Sequence, residues 1–132
     1  MNAPVAQLNL VTAWVGILLG FLSGLYLGLN FHREDWLGGY GTFKRRLYRL
    51  AHISLFGLGA VNFVFSVTVR SLPLTGTPVT MASWAFIVGA VSMPLCCILM
   101  AHRPGARLLF SLPVLSLLLG GILTLFVLGR SL

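Results

Sequence analysis

Acidic side chains are almost absent from this sequence, since Glu34 and Asp35 are the only two in 132 residues. They are adjacent, and neither lies in a long apolar segment. A proton relay or a cation-selective ring built from carboxylates would therefore have no residues to use inside a membrane. The sequence also lacks a Ser-His-acid set, a zinc-protease helix, a P-loop and a dinucleotide-binding glycine motif. We do not expect the chain to be an enzyme on its own.

Charged residues of both signs make up 8% of the chain and hydrophobic residues 58%, whereas soluble domains contain about 25% charged residues. A chain of this composition cannot cover a surface that faces water, so lipid is the expected solvent. Its length allows one domain at most. We expect no nucleic-acid partner, because no soluble domain is available to carry a basic face.

Four segments contain no Asp, Glu, Lys or Arg, and they cover residues 8–29, 50–69, 78–101 and 108–129. At about 1.5 Å per residue, each is long enough as a helix to cross about 30 Å of hydrocarbon. Residues 1–9 carry no basic residue and no cleavage site follows them, so we expect a retained first span. The sequence predicts an all-α integral membrane protein, a single domain over 1–132 with an up-down-up-down bundle of four transmembrane helices.

Basic residues are concentrated in two loops of this arrangement, 30–49 and 102–107. Seven of the nine lie there, namely Arg33, Lys44, Arg45, Arg46, Arg49, Arg103 and Arg107. Short loops rich in Lys and Arg stay in the cytoplasm. We therefore predict cytoplasmic loops that attract anionic lipids, with both termini on the periplasmic side of a bacterial inner membrane.

The first span contains four glycines at strict intervals of four, Gly16, Gly20, Gly24 and Gly28. They lie on nearly one face of a helix and form a groove without side chains. Helices in lipid associate through such close backbone approach, so the row predicts a helix-packing interface. The partner is either another span of the same chain, another subunit or a flat cofactor.

Two histidines are predicted near the cytoplasmic ends of neighbouring spans, His52 and His102. They could hold a b-type haem between two helices, with Arg45, Arg49 and Arg103 near its propionates. This arrangement resembles four-helix membrane cytochromes in architecture, and the resemblance implies electron transfer. The alternative is that His52 is a neutral interfacial histidine bonded to a carbonyl while the other histidines are solvated.

Soft ligands are grouped at the end of the third span, in Met93, Cys97, Met100 and His102. Thioether and thiolate groups suit Cu(I), so this group is a candidate metal site. The alternative is ordinary packing, because Met and Cys also act as apolar fillers. Adjacent cysteines on the cytoplasmic side are expected to stay reduced.

Three functions are compatible with these features. The first is association, in which the chain is a subunit or accessory factor of a larger inner-membrane assembly, such as a respiratory complex, and contacts other subunits or itself. The second is a haem- or metal-binding electron carrier ligated by His52 and His102. The third is a transporter or channel for a neutral or anionic solute.

Overall fold

The computed structural model describes residues 3–72 and 74–131, and these residues form helices joined by short connections. No cis peptide bond occurs among them. The α-helices are α1 (Ala3–Asn30), α2 (Phe43–Ser71), α3 (Thr77–His102) and α4 (Ser111–Gly129). Short 3-10 helices cover Trp36–Gly38 and Pro104–Phe110. All four α-helices belong to segments long and apolar enough to cross a membrane, which confirms the predicted fold class.

The first three helices extend beyond the charge-free segments at both ends. The largest difference is in α2, which begins at Phe43 rather than near residue 50 and so includes four basic residues in its first two turns. Thr42 caps this helix, because its hydroxyl oxygen accepts a hydrogen bond from the backbone N–H of Arg45 at 3.4 Å. The charge-free segment is therefore shorter than the helix, because the cap at Thr42 supports a helical start before the apolar residues begin.

The helices pack in chain order, α1 on α2, α2 on α3 and α3 on α4. α1 also approaches α3, but α1 and α4 share no extensive contact among the described residues. The central helices are consequently the most enclosed, and α4 is mostly exposed. Loops 31–42 and 103–110 lie together at the end that carries most basic residues, which we call the basic end. The first and last described residues lie at the opposite end, with residues 72 and 74–76.

Three glycines of the α1 row pack against α2 of the same chain. A Cβ on Gly16 would lie 3.0 Å from the Leu55 carbonyl oxygen, and one on Gly20 would lie 2.7 Å from the Phe56 ring. Gly24 lies against His52, whereas Gly28 has open space around it. The groove without side chains is therefore occupied within the chain and is not available to another subunit along most of its length.

The contact between α3 and α4 uses two reciprocal pairs of a glycine and a large side chain. Leu117 packs onto Gly89, and Phe86 packs onto Gly120. The Ser116 hydroxyl adds a hydrogen bond to the Ala85 carbonyl across the same contact, at 2.7 Å. Small residues that admit large neighbours allow close helix approach in lipid. This contact fixes α4 on the outer side of α3.

A buried polar cluster joins the first three helices near the terminal end. The Asn9 amide of α1 donates to the Asn62 side-chain oxygen of α2 at 2.7 Å. The Ser83 hydroxyl of α3 donates to the Asn9 side-chain oxygen. All three residues are at most 1% exposed, and no buried side-chain polar atom among the described residues lacks a partner. The cluster sets the mutual register of three helices.

Candidate functional site

The basic end contains a buried arginine surrounded by aromatic rings. Arg45 is 1% exposed, and its guanidinium lies 4.2 Å from the Tyr40 ring centroid and 5.4 Å from that of Trp36. It donates hydrogen bonds to the backbone carbonyls of Phe31 at 3.2 Å and Arg33 at 3.3 Å. Cation–π contacts and carbonyl acceptors together replace the water that the charge has lost.

The loop around Arg45 needs left-handed backbone at three consecutive positions. Leu37 has φ of 55°, Gly38 of 85° and Gly39 of 115°. The Thr42 hydroxyl closes the turn by donating toward the carbonyls of Leu37 and Gly39, each at 2.9 Å. Glycine adopts positive φ without steric cost, which explains two of the three positions. The turn returns the chain from α1 to α2 and presents the aromatic rings to Arg45.

His102 forms its hydrogen bond with α2. Its Nε2 lies 2.8 Å from the Tyr48 hydroxyl, and the two rings meet edge to face. Tyr48 also packs edge to face on Trp36, which packs in the same way on Tyr26. An aromatic chain thus runs from α1 through the loop and α2 to the end of α3. His102 itself is exposed at the basic end.

His52 lies one turn deeper in α2 than Tyr48 and faces α1. Its Nδ1 is 2.9 Å from the Ser23 hydroxyl oxygen. The edge of its ring lies against Gly24, and a Cβ at that glycine would be 2.9 Å from the His52 Cε1 atom. Phe56 supports the ring edge to face, with centroids 5.4 Å apart. Three residues on two helices, Ser23, Gly24 and Phe56, therefore hold the imidazole in one orientation.

The hydrogen bonds around Ser23 favour one tautomer of His52. The single hydroxyl proton of Ser23 is donated to the Gly20 carbonyl at 2.9 Å. With the hydroxyl proton on the Gly20 carbonyl, the oxygen accepts from the imidazole, and this arrangement places the ring proton on Nδ1 and a lone pair on Nε2. No described residue donates a hydrogen bond to this Nε2. His52 therefore presents an unused acceptor inside a membrane span.

His52 lines a cavity of about 340 Å³ at the basic end, between α1, α2 and α3. We call it the inner cavity; Tyr26, Tyr48 and Ser23 also line it. It adjoins a front groove of about 400 Å³ that lies between α1 and α3 with α2 as its floor. Both spaces are lined by Ser23, Leu55, Pro94 and Ile98. The two spaces are therefore neighbours, and the polar side chains His52, Tyr26 and Tyr48 line only the inner cavity.

The residues predicted to hold haem are distributed over separate contacts. His52 bonds to Ser23 of α1, and His102 bonds to Tyr48 of α2. Arg45 is enclosed by the loop, Arg49 has its guanidinium 5.9 Å from the Tyr40 ring, and Arg103 is exposed after the end of α3. Haem ligation by the two histidines stays a prediction. It would require His102 to release the Tyr48 hydroxyl.

The residues predicted to hold copper also have separate surroundings. Cys97 is fully buried beside Leu47, Ala51 and Ala101, and Met100 packs against the same group. Cys96 points the other way, with its Sγ 3.4 Å from the Leu109 carbonyl. In the described part of the chain, no three His, Cys, Asp or Glu side chains form a metal-binding group. Copper binding through Met93, Cys97, Met100 and His102 stays a prediction, and packing is the role that Cys97 visibly has.

Two features of the site escaped the sequence analysis. Ser23 looked like an ordinary small residue, although its place just before Gly24 puts it on the same side of α1 as the glycine row. Asn9 is at the edge of a charge-free segment, and its part in the buried polar cluster was not predicted. Both could have been found by asking which polar residues share a helix face with the glycines.

Comparisons with protein-family models, with curated proteins and with solved structures found no match to this chain.

Proposed function

We propose that the chain acts by association, as a small subunit or accessory factor of a larger inner-membrane assembly such as a respiratory complex. The observation that carries this proposal is a groove between α2 and α4, which we call the back groove. It has a volume of about 300 Å³ and is lined by Ala60, Val61, Val64, Phe65, Thr68, Phe86 and Thr124. It lies on the opposite side of α2 from α1.

The back groove differs from the rest of the lipid-facing surface. An exposed leucine on α4 is as stable against lipid tails as against another protein, so it does not indicate a partner. A recess with Ala60 and Thr124 in its walls, and with Gly57 and Gly121 open nearby, instead admits the backbone of another helix. Close backbone approach is the main source of helix association in lipid. A transmembrane helix of another subunit, or of a second copy, fits this recess.

Site-specific photo-crosslinking in the native membrane tests the proposal. A photoreactive phenylalanine at Val61 lies in the back groove, whereas one at Ile122 lies on an exposed position of α4 that does not line it. We expect one defined protein adduct from Val61 and none from Ile122. The Ala60→Phe substitution should fill the groove and remove the adduct, whereas Leu115→Phe, on the exposed side of α4, should leave it. The same adducts from both positions, or an adduct that survives Ala60→Phe, would contradict the proposal.

A further inference from the structure

The inner cavity and the front groove are adjacent and share four lining residues, with the polar side chains at the end that carries His52. At the polar end, His52 offers an Nε2 acceptor and the rings of Tyr26 and Tyr48 form aromatic walls. At the apolar end, Gly16, Leu19 and Ala90 line the groove at greater depth in the membrane. A ligand that fits this space has one compact head and one apolar tail.

The chemistry of the lining restricts the head group. Of the residues that line the two spaces, none is Lys, Arg, Asp or Glu. A phosphate or carboxylate head would lose its hydration there without gaining a counter-charge. A neutral head that donates a hydrogen bond instead pairs with His52 Nε2, which no described residue reaches. The tyrosine rings favour a flat aromatic head through edge and stacking contacts.

We propose that this space binds a membrane quinol, with a hydroxyl of its aromatic head donating to His52 Nε2 and its isoprenoid tail in the front groove. The volumes of about 340 Å³ and about 400 Å³ are each within the range of ligand pockets. The front groove is open along one side, between α1 and α3, so the ligand enters from the lipid. Ser23 is a positioning residue, because it holds Nδ1 protonated and thereby keeps Nε2 as the acceptor.

The proposal predicts a preference between two redox states of one ligand. The quinol has hydroxyl donors, whereas the quinone has only carbonyl acceptors and cannot donate to Nε2. One hydrogen bond in a protein contributes enough to change affinity by about 3- to 10-fold. The quinol should therefore bind more tightly than the quinone by about this factor.

Fluorescence titration in phosphatidylcholine nanodiscs tests this preference. Trp36 packs on both Tyr26 and Tyr48, so it reports on the inner cavity. The exposed residues Trp14 and Trp84 are replaced by Phe to leave one reporter. Decyl-benzoquinol, kept reduced with dithionite, and decyl-benzoquinone are titrated separately. We expect saturable binding of both, with the quinol tighter by about 3- to 10-fold.

Two variants separate the head from the tail. His52→Phe keeps a ring against Gly24 but removes the acceptor, so it should make the two affinities equal. Ala90→Phe should fill the groove and abolish the binding of both forms. Val88→Phe, on the same helix but outside the groove, is the matched control and should bind as the parent does.

Equal affinities in the parent protein, a quinol preference that survives His52→Phe, or binding that survives Ala90→Phe would each overturn the proposal. Displacement of the quinol by a long-chain alcohol at equal concentration would mean that the space binds ordinary lipid. This result would also overturn the quinol proposal. None of these results bears on the back groove, so the association proposal and the quinol proposal can fail separately.

Discussion

Gly24 of α1 and His52 of α2 are in direct contact, because the imidazole edge occupies the place where a side chain at position 24 would lie. A Cβ there would be 2.9 Å from His52 Cε1, closer than real Cβ contacts. The glycine and the preceding Ser23 act together, since one makes room for the ring and the other binds its Nδ1. The orientation of the only histidine well inside a span thus depends on two adjacent residues of another helix.

Gly24→Ala should therefore displace the His52 ring and break its hydrogen bond with Ser23. In the parent protein, the ¹⁵N spectrum of the imidazole should show one signal from a protonated Nδ1 and one from an unprotonated Nε2. In Gly24→Ala, we expect these signals to be replaced by averaged signals from two exchanging tautomers. Gly28→Ala is the matched control, because nothing lies within 4 Å of a Cβ at Gly28. Identical imidazole spectra in the two variants would show that Gly24 does not fix the ring.

The crossing point of α1 and α2 gives a second prediction. A Cβ on Gly59 would lie 3.1 Å from the Ala13 carbonyl oxygen, so a side chain there must push the two helix backbones apart. Gly59→Leu should lower the free energy of unfolding in detergent by about 1–3 kcal/mol, as overpacking does in other cores. Gly57→Leu, two residues earlier with open space around it, should have a much smaller effect. Similar losses in both variants would contradict this account.

The number of helices could be predicted from the sequence because it depends on the length and hydrophobicity of each segment, and these can be read directly along the chain. Four charge-free segments of sufficient length predicted four helices, and glycine spacing predicted that one face of α1 is a packing surface. Which helix covers Gly16 could not be predicted, because a row of glycines accepts a neighbour from the same chain or from another. That choice depends on the side chains of every competing helix face.

The candidate site was less predictable, because it depends on side-chain direction. Position in a span placed His52 and His102 at one end of the bundle, and they do lie near that end. Their hydrogen-bond partners, Ser23 and Tyr48, depend on the rotation of each helix about its axis, which a small change in packing alters. The adjacent cavity and groove also depend on the spacing between α1 and α3, on which the sequence carries no simple signal.

The buried polar cluster should be sensitive to the removal of one member. Asn62→Leu removes the acceptor at 2.7 Å and leaves the Asn9 amide only the longer bond to the Ser83 carbonyl, at 3.4 Å. We expect a loss of about 1–3 kcal/mol in the free energy of unfolding, mostly from the poorly bonded amide. The double variant Asn9→Leu/Asn62→Leu should lose less than the sum of the two single losses, because both partners are then apolar. Strict additivity in denaturant unfolding would show that the two amides are not coupled.

Replacing Arg45 with lysine should destabilise the loop of residues 31–42, although the positive charge is kept. A lysine has no planar group to stack on Tyr40 and cannot reach two carbonyls in the same fork geometry. We expect Arg45→Lys to raise the rate of amide hydrogen exchange across residues 31–42 and to make this loop sensitive to protease. Arg46→Lys, which is exposed on the adjacent position, should leave both unchanged. Equal protection in the two variants would mean that the aromatic rings do not hold the loop.

The orientation in the membrane is predicted from charge and can be tested by labelling single cysteines. Ser131 lies at the terminal end and Gly105 at the basic end, and both are exposed. The two native cysteines are buried, so they should react slowly with a charged maleimide. The labelling is done on intact cells from which any outer membrane has been removed. We expect Ser131→Cys to be labelled there, and Gly105→Cys to be labelled only after lysis. The reason is that the loop with Arg103 and Arg107 stays in the cytoplasm. The opposite pattern would reverse the orientation and place the inner cavity near the other face of the membrane.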